Sequence, residues 1–159
     1  MNASDNRMLP DAIDFRLALC YDVRPNDFRR AGEASTDLKM RLQGLHLAPD
    51  IVRRAAIAMY EGEINMVIHA EGGVITVTVT DGEIRMVFED KGPGIPDIDK
   101  AMQAGYSTAS EMVRNMGFGA GMGLPNMKQY SDDIQIESKE GIGTTVTMRI
   151  FLPEEGTPS

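Results

Sequence analysis

The sequence predicts an α/β two-layer sandwich, an α+β arrangement with a mixed, mostly antiparallel sheet and helices on one face. Three observations lead there. Short segments alternate apolar and polar residues with the period of a strand. Two longer segments between the first and second of these read as helices. The turns between consecutive later strands are rich in the residues that make hairpins, and hairpins pair strands antiparallel.

Taken in order, Ile13, Phe15, Leu17, Leu19 and Tyr21 fall on one side of a first strand, with Asp14, Arg16, Ala18 and Cys20 on the other. Pro25, Asn26 and Asp27 signal a helix start, and Phe28, Ala31, Ser35, Leu38, Leu42 and Leu45 then form one helical face, with Gly44 near its end. This apolar stripe suits either the chain's own sheet or a second copy in a homodimer. A second helix is expected from Pro49 or Asp50 to His69, with Gly72 and Gly73 ending it. Val74 to Thr80 and Glu83 to Asp90 are strands joined by Asp81-Gly82, a strong two-residue turn. The glycine-rich stretch from Lys91 to Pro125 reads as a long loop with a short helix near Asp97 to Ala104, and so irregular a segment tends to be functional. A helix over Leu124 to Ser131 precedes strands Ile134 to Ser138 and Thr144 to Leu152.

The 159 residues suit one domain, expected over 13–152 between a loose segment 1–12 and a loose tail 153–159. No apolar run approaches the ~20 residues of a membrane span, and the polar start is unlike a signal peptide, so the expected location is the cytoplasm with no membrane partner. The single cysteine cannot form an internal disulfide. A net charge of −8 disfavours nucleic acid as a partner and means that an anionic ligand needs backbone amides or a metal ion.

Four constellations could carry chemistry. Glu61, Asn65 and His69 recur at every fourth position and stack on one helix face, bordered by Ile57, Ile64 and Ile68. A solvated helix face would give the same row. Asp90 shares strand parity with Ile84, Met86 and Phe88, so its carboxylate ends an apolar side of the strand and must accept hydrogen bonds. Such an acceptor suits the exocyclic amino group of adenine, and Gly92-Pro93-Gly94 after it allows close backbone approach; a turn-capping aspartate is the simpler alternative.

Gly117, Gly119, Gly121 and Gly123 alternate directly before a helix, where several N–H groups and the helix terminus can face an anion; a flexible linker is the alternative. Neither the P-loop spacing nor that of dinucleotide folds fits this run. In Gly141-Ile142-Gly143-Thr144 a tight turn explains the glycines, but Thr144 shares parity with Val146, Met148 and Ile150 and should face inward.

In this order the four elements resemble the N, G1, G2 and G3 boxes of the GHKL ATPase/kinase superfamily, over about Ile13 to Leu152. Within it the chain looks like the bacterial anti-sigma-factor serine/threonine kinases of the RsbW and RsbT group. Glu61-Gly62-Glu63-Ile64-Asn65 is close to their N box, while the run Ala101 to Thr108 and Gly123-Leu124-Pro125-Asn126-Met127-Lys128 look most like RsbT.

The resemblance implies ATP and Mg²⁺ as cofactors. It implies Asn65 as the magnesium-binding residue and Glu61 as the general base. Asp90 would read adenine, with Gly94 at the base plane and Thr144 closing the pocket. Gly119, Gly121 and Gly123 would form the phosphate-contacting loop, part of a mobile lid, and Gly92, Ile95, Gly105, Gly117 and Leu124 would complete the cofactor-binding set. Lys91 departs from the small polar residue common in the family and is left outside the site; Lys128 either helps to neutralise phosphates or is a solvated helix lysine. Ser107 and Thr108 either contact phosphate or cap a short helix. The implied substrate is a STAS-domain antagonist, with a sigma factor or a PP2C-type phosphatase as further partners. A nucleotide-dependent binding module and a plain ATPase switch are the competing functions.

His69 reads as a structural helix-end residue, Cys20 has no assigned role, and the twelve methionines read chiefly as core filling, although Met112, Met116, Met122 and Met127 cluster around the lid.

Overall fold

The computed structural model describes residues 15–69, 72–92, 94, 98–103 and 123–153. Within them the elements are β1 (Leu17–Val23), α1 (Glu33–Gln43), α2 (Pro49–His69), β2 (Gly73–Val79), β3 (Glu83–Lys91), α3 (Ile98–Ala101), α4 (Gly123–Tyr130), β4 (Asp133–Lys139) and β5 (Gly143–Phe151). The five strands form one sheet in the order β1-β2-β3-β5-β4. Each pairing among the described strands is antiparallel, so the expected two-layer architecture holds with no parallel pair there.

Alternation builds the core. Ile75, Val77 and Val79 of β2, Ile84, Met86 and Phe88 of β3, and Val146, Met148 and Ile150 of β5 are buried on one face. Leu38 and Leu42 of α1, Ala55, Met59 and Met66 of α2, and Leu124 and Met127 of α4 cover that face. Met59, Met66, Met86, Met127 and Met148 are thus core residues, as composition suggested; Met112, Met116 and Met122 lie outside the described residues. The apolar stripe of α1 is occupied within the chain, with Leu38 and Leu42 both 0% exposed.

Helix α1 is shorter than its spacing predicts. Its start lies at Glu33 and not after Asp27, because Asn26 (φ 59°) and Gly32 (φ 98°) take left-handed backbone that no continuous helix tolerates. Gly32 offers no side chain to cap the helix. The cap comes from α2 instead: Glu63, 4% exposed, accepts the N–H groups of Ala34 and Ser35 at 3.3 Å each. Burial pushes the Glu63 carboxyl up, and the backbone N–H groups of Ala34, Gly32 and Ser35 oppose that shift.

Two glycines allow the layers to close. A Cβ at Gly62 of α2 would enter the Phe88 ring, so the helix lies directly on β3 at this point. A Cβ at Gly73 would meet Met66 and Glu89, and would lie 2.9 Å from the Cα of Asp90, its partner across the β2–β3 ladder. The Asp81-Gly82 turn forms as expected, with Thr80 N–H donating to the Glu83 carbonyl at 3.0 Å. Among the described residues no helix is long and apolar enough to cross a membrane.

Candidate functional site

Helix α2 carries the first half of the site. Glu61 and Asn65, one turn apart, are both half-buried. They face α4: a Cβ at Gly123 would lie 3.7 Å from Asn65 Oδ1 and 3.9 Å from the Glu61 carbonyl. Asn126, in the first turn of α4, donates from Nδ2 to Glu61 Oε2 at 2.9 Å. Sequence reasoning placed Glu61, Asn65 and Gly123 in the site and missed Asn126. The only signal for it was a polar residue between the buried Leu124 and Met127, a position that also suits a solvated surface.

Asp90 carries the second half. It lies on the inward face of β3, one inward position beyond Phe88, on which Gly62 rests. Its Oδ1 accepts the Thr144 N–H at 3.1 Å from the neighbouring strand. Burial pushes the Asp90 carboxyl up, and the Thr144 N–H opposes the shift. Thr144 is buried, as its parity predicted, and its hydroxyl shares a 3.0 Å hydrogen bond with the Ser138 hydroxyl.

Gly92 is buried and donates its N–H to the Ile142 carbonyl at 3.3 Å. Gly94 (φ 79°) is required by the β4–β5 turn: a Cβ there would lie 2.6 Å from the Lys139 carbonyl oxygen. Its freedom therefore serves packing as well as any approach by a ligand. Leu124 is buried by its side chain, which leaves only its backbone for a ligand. Lys91 and Lys128 are exposed. Ile95, Gly105, Ser107, Thr108, Gly117, Gly119 and Gly121 lie outside the described residues, as does the side chain of His69.

Among the described residues no group of three or more His, Cys, Asp or Glu could hold a metal. Asn65 would suit a different mode, in which one hard side-chain oxygen would help to hold a Mg²⁺ ion that phosphate and water otherwise surround. On the other flank of α2, the turn bearing Glu63 and Val67 lines a cavity of about 560 Å³ with Tyr21, Arg24 and Asp37; neither Asp90 nor Asn65 lines it.

Helices thus cover one face of the sheet, with a carboxylate and an amide on the long helix and an aspartate at a strand end. The family profile of histidine kinase-, DNA gyrase B- and HSP90-like ATPases matches residues 53–155, and the chain belongs to that family. The expected place in the GHKL superfamily is thereby shown.

Among curated proteins, the anti-sigma F factor of Caldanaerobacter subterraneus subsp. tengcongensis is 36% identical over 100 residues, covering 60% of this chain and 66% of that protein. The anti-sigma F factor of Bacillus subtilis is 35% identical over 98 residues, covering 58% and 64%. The match thus spans somewhat less than two thirds of the length of these relatives. Of solved structures, the SiaB–SiaC complex from Pseudomonas aeruginosa gives a TM-score of 0.58 at 14% identity, covering 92% of this chain and 96% of that one. The RsbU and RsbW domains of a Mycobacterium tuberculosis protein give a TM-score of 0.59 at 17% identity, covering 89% and 35%. These two likenesses concern the fold.

Proposed function

We propose that the chain is an ATP-dependent protein serine/threonine kinase of the anti-sigma regulatory type, acting on a small STAS-like protein in the cytoplasm. The observation that supports this reading best is the pair Glu61 and Asn65 on one face of α2, against the first turn of α4.

In this reading the acceptor hydroxyl oxygen bonds to the γ-phosphorus while the bond from that phosphorus to the bridging oxygen of ADP breaks. Glu61 takes the hydroxyl proton, a contribution of about 10²–10⁴-fold. Asn65 holds Mg²⁺ through its side-chain oxygen; when bound, the ion offsets charge on the phosphates. Asp90 accepts the adenine amino group, and Thr144 closes the pocket beside it. The N-terminus of α4, at Gly123 and Leu124, turns backbone N–H groups toward phosphate. The parts given to Gly117, Gly119 and Gly121 in the phosphate cradle, and to Ile95 and Gly105, rest on the sequence pattern.

The named relatives support a sigma factor as a further partner. They also favour a second reading, a nucleotide-dependent binding module in which complex formation matters more than turnover. Incubation with γ-labelled ATP, with and without candidate STAS proteins, separates the two. Label on the STAS protein, lost about 10²–10⁴-fold in Glu61→Gln with ATP binding retained, is the expected result. Stable nucleotide-dependent complexes without label transfer would replace the kinase reading with the binding module.

A further inference from the structure

We propose that Asn126 is a positioning residue for Glu61, so that the first turn of α4 aims the base. The inference rests on the reading of Glu61 as a general base.

The Asn126 amide reaches Glu61 from 65 residues further along the chain. Only its NH₂ end can face a carboxylate, since the carbonyl end would bring two acceptors together. Both residues are half-buried, so neither side chain is simply solvated. The bond holds Oε2 and thereby fixes the rotation of the whole carboxylate. In the proposed mechanism the other oxygen, Oε1, serves the attacking hydroxyl.

A glutamate otherwise swings about several side-chain torsions. Proton transfer requires the base within about 2.6–3.2 Å of the oxygen it serves, and a misplacement of about 1 Å costs about 10²-fold. The choice of an amide is chemically apt. A lysine or arginine here would neutralise the carboxylate and weaken it as a base, whereas an amide orients it and leaves the charge in place.

The same turn of α4 also lies beside the proposed metal ligand, because a Cβ at Gly123 would stand 3.7 Å from Asn65 Oδ1. Gly123 is the last glycine of the alternating run. A shift of this turn therefore moves the partner of the base and the neighbour of the metal ligand together.

The test measures Mg·ATP turnover to ADP in the presence of candidate STAS proteins as acceptor, together with the KM for ATP and the thermal midpoint. The proteins are the wild type, Asn126→Ala, Asn126→Asp, Glu61→Gln and the double variant Glu61→Gln/Asn126→Ala. The expected result is a kcat about 10–100-fold lower in Asn126→Ala, with KM unchanged within about twofold. Asn126→Asp, which sets two carboxylates together, falls at least as far and serves if the alanine variant does not fold. The double variant is no slower than Glu61→Gln, because aim is irrelevant once the base is gone. Wild-type kcat in both Asn126 variants with Glu61→Gln impaired overturns the positioning role and leaves the base standing. Additive losses in the double variant also overturn it. Wild-type turnover in Glu61→Gln, or none in the wild type, overturns the base and the positioning role together.

Discussion

The Thr144 N–H donates to Asp90 Oδ1 at 3.1 Å, across the ladder that pairs these two residues on β3 and β5. One carboxylate oxygen is thus committed to the sheet, and in the proposed reading the other accepts a hydrogen bond from the adenine amino group. Asp90→Asn can keep its carbonyl on Thr144 and turn its NH₂ outward. We expect folding stability within about 1 kcal/mol of wild type, because the ladder bond survives. ATP affinity should fall about 10–100-fold, since the outward group now opposes the adenine NH₂ as donor to donor. Calorimetry on the wild type should show ATP preferred over GTP, whose purine 6-position is an acceptor; equal affinities would remove the adenine pocket.

A second expectation concerns the metal. Asn65→Ala should weaken Mg·ATP binding strongly and metal-free ATP binding little, because the side-chain oxygen is a hard donor with no carboxylate cluster among the described residues to replace it. Titrations with ATP in EDTA and in magnesium compare the two. An unchanged dependence on magnesium would make Asn65 a structural amide.

Glu63 offers a stability test with a defined sign. Its two oxygens cap Ala34 and Ser35 separately, and Glu63→Gln leaves one of those N–H groups facing an NH₂. The loss should be about 1–3 kcal/mol in denaturant unfolding. Because burial raises the folded-state pKa above the ordinary 4.5, the folded protein binds the extra proton. The stabilisation linked to that proton is complete below 4.5 and lost as pH rises through the raised value. The gap between wild type and Glu63→Gln should therefore narrow with rising pH over that window. A gap that widens would show that the Glu63 carboxyl is not raised by folding.

Gly62→Ala sets two effects against each other. Alanine gains about 1 kcal/mol of helix propensity. Its Cβ would enter the ring of Phe88, which is 2% exposed and cannot swing away. Overpacking of this kind costs about 1–3 kcal/mol. We expect the clash to win and the thermal midpoint to fall. A rise would mean that α2 can lift from β3 without loss.

Much of this protein is determined by its sequence alone. Period-two alternation in β2, β3 and β5 put the inward residues, Asp90 and Thr144 among them, on the correct face, because one register slip would expose the whole set. The spacing of Glu61 and Asn65 on α2 was legible for the same local reason. The tertiary structure decided what depends on contacts between distant segments. Helix α1 begins late because its cap is Glu63, about thirty residues away and on another helix. Gly94 is a glycine because Lys139 crowds it. Asn126 meets Glu61 only when α4 packs on α2. Local pattern carries propensity and face, whereas a cap, a close approach or a hydrogen bond between elements exists only once the layers have closed.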